Sequence, residues 1–208
     1  MKKNIKPLDP GTFYHVYNRG NNGQNIFFEK RNYALFLQKY AKYVSPVADT
    51  YAYCLLGNHF HILIRTKSEK EITLFKGDRV LNPVSLEAGK IVSLQFSHLF
   101  NSYTQTINKT YNRTGSLFER PFRRIPVTSD AYFSQLVYYI HFNPQKHGFV
   151  DGFEDWEYSS YHSHLENKPT KLNRDEVIKW FGGKSEYQKF HDSFQDVRII
   201  NPLIIEMD

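Results

Sequence analysis

Residues 47–66 read VADTYAYCLLGNHFHILIRT, two apolar segments joined by a Gly-Asn pair. A two-residue turn of this kind joins the antiparallel strands of a β-hairpin. The sequence therefore predicts one strand over Val47–Leu56 and a second over His59–Thr66. Because side chains alternate along a strand, three apolar residues of the second strand face a core, while His59 and His61 share the other face.

The segments around this hairpin alternate between strand and helix patterns. One strand is expected before the hairpin, and an edge strand after it, where a proline cannot donate a ladder hydrogen bond. The expected elements are strands at Thr12–Arg19 and Arg123–Val127 and helices at Tyr33–Val44, Val92–Ile107, from Ser129 or Asp130 to Asn143, and Asn173–Phe181. Strands interleaved with two packing helices favour an α+β fold, an antiparallel sheet with helices on one face.

The 208 residues suit one domain with an appendage. We expect a domain over residues 1–165, with residues 67–90 as a surface insertion, and an acidic C-terminal helical extension over 166–208. No apolar run approaches the about 18 residues of a membrane span, and the start of the chain does not resemble a secretory signal. A single cysteine, Cys54, excludes disulfides and cysteine-based zinc modules, so a cytoplasmic location is expected.

The charge is unevenly distributed along the chain. Residues 1–150 carry 20 Lys and Arg against nine Asp and Glu, whereas residues 151–208 carry seven against twelve. A basic body attracts polyanions, and nucleic acid is the commonest polyanion that a cytoplasmic protein meets. The chain also holds 34 aromatic residues, some of which could stack on unpaired bases. A basic protein without a nucleic-acid role is the alternative.

The two histidines of the second hairpin strand are the sharpest chemical feature. Side chains two positions apart on a strand lie about 6–7 Å apart on one face, close enough for both imidazoles to bind one metal ion. The alternative is a pair of partly exposed polar residues. His162 and His164 have the same spacing in a polar setting without a strand pattern, and we expect that pair to lie on the surface.

A tyrosine on the third predicted helix could join this metal site. Tyr139 lies well around the helix from the apolar stripe, so it is not an obligatory core residue. Asn143 follows four residues later, one turn away on the same side, where its amide oxygen could meet a metal beside the phenol. Neighbouring Tyr138 points elsewhere. A boundary tyrosine with a wet hydroxyl is the alternative interpretation of Tyr139.

Five short motifs, in the same order along the chain, resemble the REP-associated tyrosine transposases, a branch of the single-tyrosine HUH transposases. They span about Tyr14 to Tyr161. The motifs are YHVYNRG at 14–20, NHFH at 58–61, GSLFER at 115–120, YIHFNP at 139–144 with KHGFV at 146–150, and WEYSSY at 156–161.

This resemblance implies a ferredoxin-like fold and metal-dependent nicking and joining of single-stranded DNA near hairpins, through a 5′-phosphotyrosine. It assigns the nucleophile to Tyr139 and the metal ligands to His59, His61 and Asn143, with magnesium or manganese as the cofactor. The chain departs from the family pattern at Gly57, where a proline is usual, and at Phe118, where tryptophan is frequent. Residues 67–90 also look longer than the corresponding link.

The segment from 109 to 124 combines cations with rings in a pattern suited to a strand of unpaired nucleotides. The candidate phosphate contacts are Lys109, Arg113, Arg120, Arg123 and Arg124, and the candidate base-stacking rings are Tyr111, Phe118 and Phe122. A solvated basic loop leading into an edge strand is the alternative.

The expected partner is single-stranded DNA with a hairpin, bound by a monomer or homodimer, with no membrane and no small-molecule substrate. Two other functions remain open. One is a single-stranded DNA or RNA binder that keeps the fold without cleavage, although such a binder would not need the two histidines, Tyr139 and Asn143. The other is a rolling-circle replication initiator or relaxase, which the small size and the absence of a helicase-like region disfavour.

Overall fold

A four-stranded antiparallel sheet lies at the centre of this computed structural model, which describes residues 7–75 and 87–193. Its strands are β1 (Phe13–Arg19), β2 (Ala48–Leu55), β3 (His59–Thr66) and β4 (Arg123–Pro126), in the order β2-β3-β1-β4. Each neighbouring pair is antiparallel. The predicted α+β fold with an antiparallel sheet is confirmed.

The β2–β3 hairpin forms where the sequence predicts it. The backbone N–H of Leu56 donates to the carbonyl of His59 over 2.8 Å and closes the turn. The carbonyl of Gly57 accepts from the backbone N–H groups of Ile26 and Phe27, so the turn is fixed to the chain that leads into the first helix. β3 therefore lies between β2 and β1, and His61 occupies the middle of the sheet.

Seven helices accompany the sheet in the described ranges. They are α1 (Lys30–Tyr43), α2 (Glu69–Leu74), α3 (Ala88–Thr110), α4 (Asp130–Lys146), α5 (Tyr161–Leu165), α6 (Arg174–Trp180) and α7 (Lys184–Asp192). The sequence predicts α1, α3, α4 and α6. It misses α2, α5 and α7, which are short helices, whereas the equally short α6 was found from the Gly-Gly pair that follows it. Within these ranges, no helix has both the length and the apolar character of a membrane span.

The predicted insertion at 67–90 contains α2 and the start of α3, while residues 76–86 lie outside the described ranges. Ser68 begins α2 with a capping box, because its hydroxyl accepts from the N–H of Glu71 and the Glu71 carboxylate accepts from the N–H of Ser68. Ile72 is buried in the main core. The described part of the insertion is therefore packed against the domain.

Helices α1 and α3 cover one face of the sheet. Their apolar residues, including Phe36 and Phe96, pack with Phe60, Ile62 and Ile64 of β3 in one buried cluster. This is the side of the hairpin that the alternation of β3 assigns to the core. Tyr103 of α3 donates its hydroxyl proton to the carbonyl of Ile26 over 2.8 Å. The buried hydroxyl in this apolar layer therefore has a hydrogen-bond partner.

Helix α4 lies on the opposite face, so the expected arrangement with helices on one face holds only for α1 and α3. The reason is that the second face also carries apolar side chains. Ala52 and Leu63 of the hairpin pack there with Leu136 and Ile140 of α4 in a second buried cluster. A sheet that is apolar on both faces needs cover on both.

Helix α4 continues past its predicted end. Ser129 caps it, with its hydroxyl accepting from the N–H of Tyr132, as one of the two predicted caps. Pro144 was expected to end the helix, yet the helix runs to Lys146 and the N–H of His147 still donates to the carbonyl of Asn143. A proline removes one helix hydrogen bond, which a last turn tolerates better than a helix interior.

The segment after α4 packs back onto that helix through buried histidines. His164 is 0% exposed, so the expectation of a surface histidine pair is wrong for His164 and holds for the exposed His162. His141 of α4 lies 2.9 Å, Nδ1 to Nε2, from His191 of α7, and the hydroxyl of Tyr187 is 3.3 Å from the same Nδ1. The described part of the predicted 166–208 extension therefore shares a buried cluster with α4.

The buried histidines in the described part of the C-terminal region make the free energy of unfolding depend on pH. Burial lowers the pKa of His164 to about 3, with the charge of His191 adding to it, and lowers the pKa of His191 to about 4. An unfolded histidine has a pKa of about 6.5. The unfolded chain therefore takes up protons first as the pH falls, and the free energy of unfolding decreases from about pH 6.5 towards pH 4.

We expect His164→Leu to flatten this acid dependence by about 1.4 kcal/mol per pH unit, the contribution of one proton. The measurement is urea unfolding at a series of pH values between 6.5 and 4. His162→Gln, on the exposed side of the same short helix, is the matched control. A wild-type slope in His164→Leu would show that this histidine does not govern acid stability.

Candidate active site

The two histidines of β3 face helix α4 near the centre of the sheet. Their ring centroids are 5.3 Å apart and the rings are nearly perpendicular, at 88°. His61 is buried and His59, nearer the turn, is partly exposed. The alternation of β3 thus places both imidazoles on one face, as the sequence predicts.

The ring of His61 packs against two side chains of β1. It lies 5.1 Å from the ring of His15 and 5.5 Å from the ring of Tyr17, in nearly parallel stacks. The Nδ1 of His61 is 2.9 Å from the Nε2 of His15. Burial lowers the pKa of His15 to about 3 and, with the nearby histidines, lowers the pKa of His61 well below its usual range. Both rings are therefore neutral, the form of imidazole that binds metals.

Hydrogen bonds set the tautomer of His59. The amide nitrogen of Asn58 donates to the carbonyl of Gly23 over 3.4 Å, so the amide oxygen of Asn58 is the atom that lies 2.7 Å from His59 Nδ1. An oxygen accepts, so Nδ1 carries the proton and Nε2 keeps its lone pair. Burial lowers the pKa of His59 to about 4, which keeps this ring neutral too.

Two acceptors meet between β3 and α4. The lone pair on His59 Nε2 faces the amide oxygen of Asn143 across 3.1 Å. Asn143 is 0% exposed, and its amide nitrogen is buried without a hydrogen-bond partner. Two adjacent acceptors repel each other unless a cation lies between or beside them, or the amide turns to donate.

Tyr139 lies one helical turn before Asn143 and belongs to the same site. Its ring centroid is 5.5 Å from that of His61, edge to face. Burial raises the pKa of Tyr139 to about 12. The four predicted residues, two from β3 and two from α4, therefore come together in the fold.

Access to the tyrosine is restricted. The side chain of Tyr139 is only 2% exposed. Exposed Lys146 holds its Nζ 5.3 Å from the centre of the phenol ring, and exposed His147 packs its ring 5.1 Å from that of His59. Both side chains at the end of α4 therefore border the site.

The residues present fit a divalent cation. The possible donors are two neutral imidazoles and one amide oxygen, a set that tolerates manganese, nickel or zinc, whereas magnesium is expected only from the family resemblance. Among the described residues, no three His, Cys, Asp or Glu side chains are placed to hold one metal ion, so the set depends on the amide of Asn143. The facing acceptors of His59 and Asn143, together with the unpaired amide nitrogen of Asn143, are the observation that favours this fit.

Comparisons with known proteins agree with this fold. No protein-family model matches the chain. A protein of Haemophilus influenzae named as a putative REP-associated tyrosine transposase is 26% identical over 116 residues, 55% of this chain and 59% of the relative. A solved structure, of a REP-associated tyrosine transposase bound to a REP hairpin, matches with a TM-score of 0.60 at 16% identity, over 81% of this chain and 89% of the other. The chain resembles the REP-associated tyrosine transposases.

The resemblance seen in the sequence motifs is thereby confirmed, and the structural match shows that the fold is shared with a transposase of this family. The aligned region spans 59% of the length of the curated transposase that it matches.

Sequence reasoning missed three neighbours of the transposase-like site. His15 lies on the same face of β1 as Tyr17, and its position in that strand is the signal that could have found it. The pairing partner of a strand is not visible in its local pattern, so the contact with His61 could not be predicted. Lys146 and His147 were quoted only as part of a family motif.

The predicted DNA contacts divide between the two faces of the sheet. Arg120 and Arg124 line a groove of about 760 Å³ beside α3, on the face away from the histidines. Arg123 pairs with Tyr17 and therefore faces the histidine side. Lys109 is exposed at the end of α3, and Arg113 bonds to Asn108 and Gln24 within the chain.

The rings of this basic segment serve the core. Phe118 and Phe122 are buried in the main cluster, so the expectation that they stack on bases is wrong for both. Tyr111 donates its hydroxyl proton to Glu29. Arg124 lies 3.8 Å from the centre of the Phe122 ring and donates to the hydroxyl of Ser93 over 2.9 Å. Burial lowers the pKa of Arg124 to about 10, which leaves it charged at neutral pH.

We expect His59→Gln to weaken Mn²⁺ binding at least tenfold, because loss of a ligand should cost no less than loss of a supporting partner. The measurement is the fraction of free Mn²⁺ by electron paramagnetic resonance during titration. His162→Gln, which changes an exposed histidine elsewhere, is the matched control. Equal affinity in His59→Gln and wild type would remove His59 from the ligand set.

Proposed function

We propose that this protein is a metal-dependent endonuclease and transposase that nicks and rejoins hairpin-flanked single-stranded DNA through a 5′-phosphotyrosine. The observation that supports it is the convergence of Tyr139 and Asn143 with His59 and His61 in one buried site. The likeness to REP-associated tyrosine transposases supports the same function.

His59, His61 and Asn143 are the ligands in this proposal. A divalent ion bound there would neutralise charge on the scissile phosphate and polarise its phosphorus. The protein's own contribution is to hold three neutral ligands in fixed positions. β3 fixes the two imidazoles, and α4 fixes the amide and the tyrosine one turn apart.

Tyr139 is the nucleophile. Its hydroxyl oxygen forms a bond to phosphorus, the bond from phosphorus to the 3′ oxygen breaks, and the products are a 5′-phosphotyrosine and a 3′-hydroxyl. The phenol proton is lost and the departing 3′ oxygen gains one, so the step balances. Because the pKa of Tyr139 is about 12, the phenol is neutral before substrate binds. The amine of Lys146, beside the ring, would stabilise the phenolate as it forms.

The groove beside α3 is the proposed position of the DNA hairpin. Its cations are Lys90, Arg120 and Arg124, which suit phosphates. Glu119 and the edges of Phe118 and Phe122 also line it. Arg123, one residue from Arg124, faces the other side of the sheet. An unpaired strand leaving the groove could therefore pass around the edge of β4 towards Tyr139.

A non-catalytic binder of single-stranded nucleic acid is the second candidate, favoured by the burial of Tyr139. The same groove and basic residues would serve it. The two functions differ in one respect, because only the endonuclease forms a covalent bond to DNA.

We expect Tyr139→Phe to abolish a covalent adduct with a labelled, hairpin-flanked oligonucleotide in the presence of Mn²⁺, because phenylalanine has no oxygen to attack phosphorus. The adduct is detected after denaturing electrophoresis. Tyr138→Phe is the matched control and should keep wild-type adduct levels. Tyr138 precedes Tyr139 on α4, and its ring stacks on Phe142. Adduct in Tyr139→Phe would reassign the nucleophile, and binding without any adduct in wild type would favour the non-catalytic binder.

We expect Arg120→Ala to weaken hairpin binding and to reduce the slope of log affinity against log salt by about one, the contribution of one phosphate contact. The measurement is fluorescence anisotropy at salt concentrations from about 50 to 300 mM, over which a change in slope on the order of one can be resolved. Lys171→Ala is the control, since Lys171 precedes Leu172, which bridges to the opposite edge strand β2. An unchanged slope in Arg120→Ala would place the hairpin outside the groove.

A further inference from the structure

We propose that His15 is a positioning residue that holds His61 in the tautomer with its proton on Nδ1, so that Nε2 of His61 is free for the metal ion. This inference rests on the proposed function, because it assigns a role towards the metal of the same site. It adds a residue outside the predicted set of four.

The contact between the two rings is short and enclosed. His15 Nε2 lies 2.9 Å from His61 Nδ1, and the rings are 5.1 Å apart at 24°. His15 is 0% exposed. No water-filled surface competes for either nitrogen, so each ring depends on the other for this hydrogen bond.

The sheet fixes this distance. In the β1–β3 register, His15 pairs with Leu63 and Tyr17 pairs with His61, so the two histidines are diagonal neighbours on one face. β1 is held on its other side by β4, through the pairing of His15 with Ile125. The separation of the two imidazoles is therefore set by backbone hydrogen bonds on both sides of β1.

Only one proton fits between two facing nitrogens, which leaves two arrangements of neutral rings. If His15 donates, His61 accepts at Nδ1 and carries its own proton on Nε2, where a metal could not bind. If His61 donates from Nδ1, its Nε2 has a free lone pair. Metal binding through Nε2 therefore requires His15 to be the acceptor.

Accepting this hydrogen bond at Nε2 has a free-energy cost for His15, because its other nitrogen must then carry a proton. In that arrangement His15 carries its proton on Nδ1, and Nδ1 is buried without a hydrogen-bond partner. An unpaired buried donor is unfavourable, so nothing within the described fold stabilises His15 as an acceptor except its partner His61. The hydrogen bond from Nδ1 of His61 is therefore the described contact that offsets this cost.

The test compares two substitutions at position 15. His15→Gln can still present an oxygen to His61 at a similar distance along the side chain, whereas His15→Leu fills the space without an acceptor. We expect Mn²⁺ affinity, measured by electron paramagnetic resonance, to stay within about threefold in His15→Gln and to fall roughly 10- to 100-fold in His15→Leu. Thermal unfolding without metal, measured in parallel, should show that both variants fold.

A second measurement does not depend on a substitution. Long-range proton–nitrogen NMR of ¹⁵N-histidine-labelled wild type, saturated with diamagnetic Mg²⁺, should show His61 protonated on Nδ1. Metal affinity in a folded His15→Leu equal to wild type, or an Nδ1 without a proton, would overturn the inference. Wild type that binds no Mn²⁺ would instead contradict the proposed function, so the two failures are distinguishable.

Discussion

The pairing of β1 with β3 is the constraint on which the site depends. It places Tyr17 opposite His61 and His15 beside it, on the face that receives α4. A slip of one residue would turn the β1 side chains of this face towards α1 and α3, because side chains alternate with a period of two. The apolar surface of β1 on the other face, Tyr14 and Val16, opposes such a slip. Packing of the main core therefore determines which β1 side chains lie beside His61 on the opposite face of the sheet.

Burial has opposite consequences for the ligands and for the nucleophile. A dry environment keeps His15, His59 and His61 neutral far below neutral pH, which suits metal binding. The same environment raises the pKa of Tyr139 and holds its proton. Under the proposed function, the burial that favours metal binding would therefore also keep the phenol protonated until a positive charge lies beside it. In the proposed mechanism, the positive charges of the bound metal ion and of Lys146 would stabilise the phenolate, while the histidines stay neutral.

Local spacing accounts for what the sequence predicted. The histidines of β3 share a face because they are two residues apart, and Tyr139 and Asn143 share a side of α4 because they are four apart. Contacts between segments distant in the sequence could not be predicted from local spacing. His15 meets His61 only through the strand register, and His164 is buried against His141 of α4 and Tyr187 of α7. Phe118 and Phe122 looked like base-stacking residues because an aromatic ring in a basic segment has the same pattern whether it faces DNA or a core.

Edge strand β4 connects the two faces that the rest of the sheet separates. Its alternation sends Arg124 into the groove beside α3 and Arg123 towards Tyr17. An interior strand could not do this for a bound nucleic acid, because its neighbours close both sides. A short edge strand leaves its outer side open, and Pro126 removes one donor that might pair with another strand. The position of β4 at the edge therefore gives the groove and the buried site a common border, along which the proposed function would route an unpaired strand of DNA.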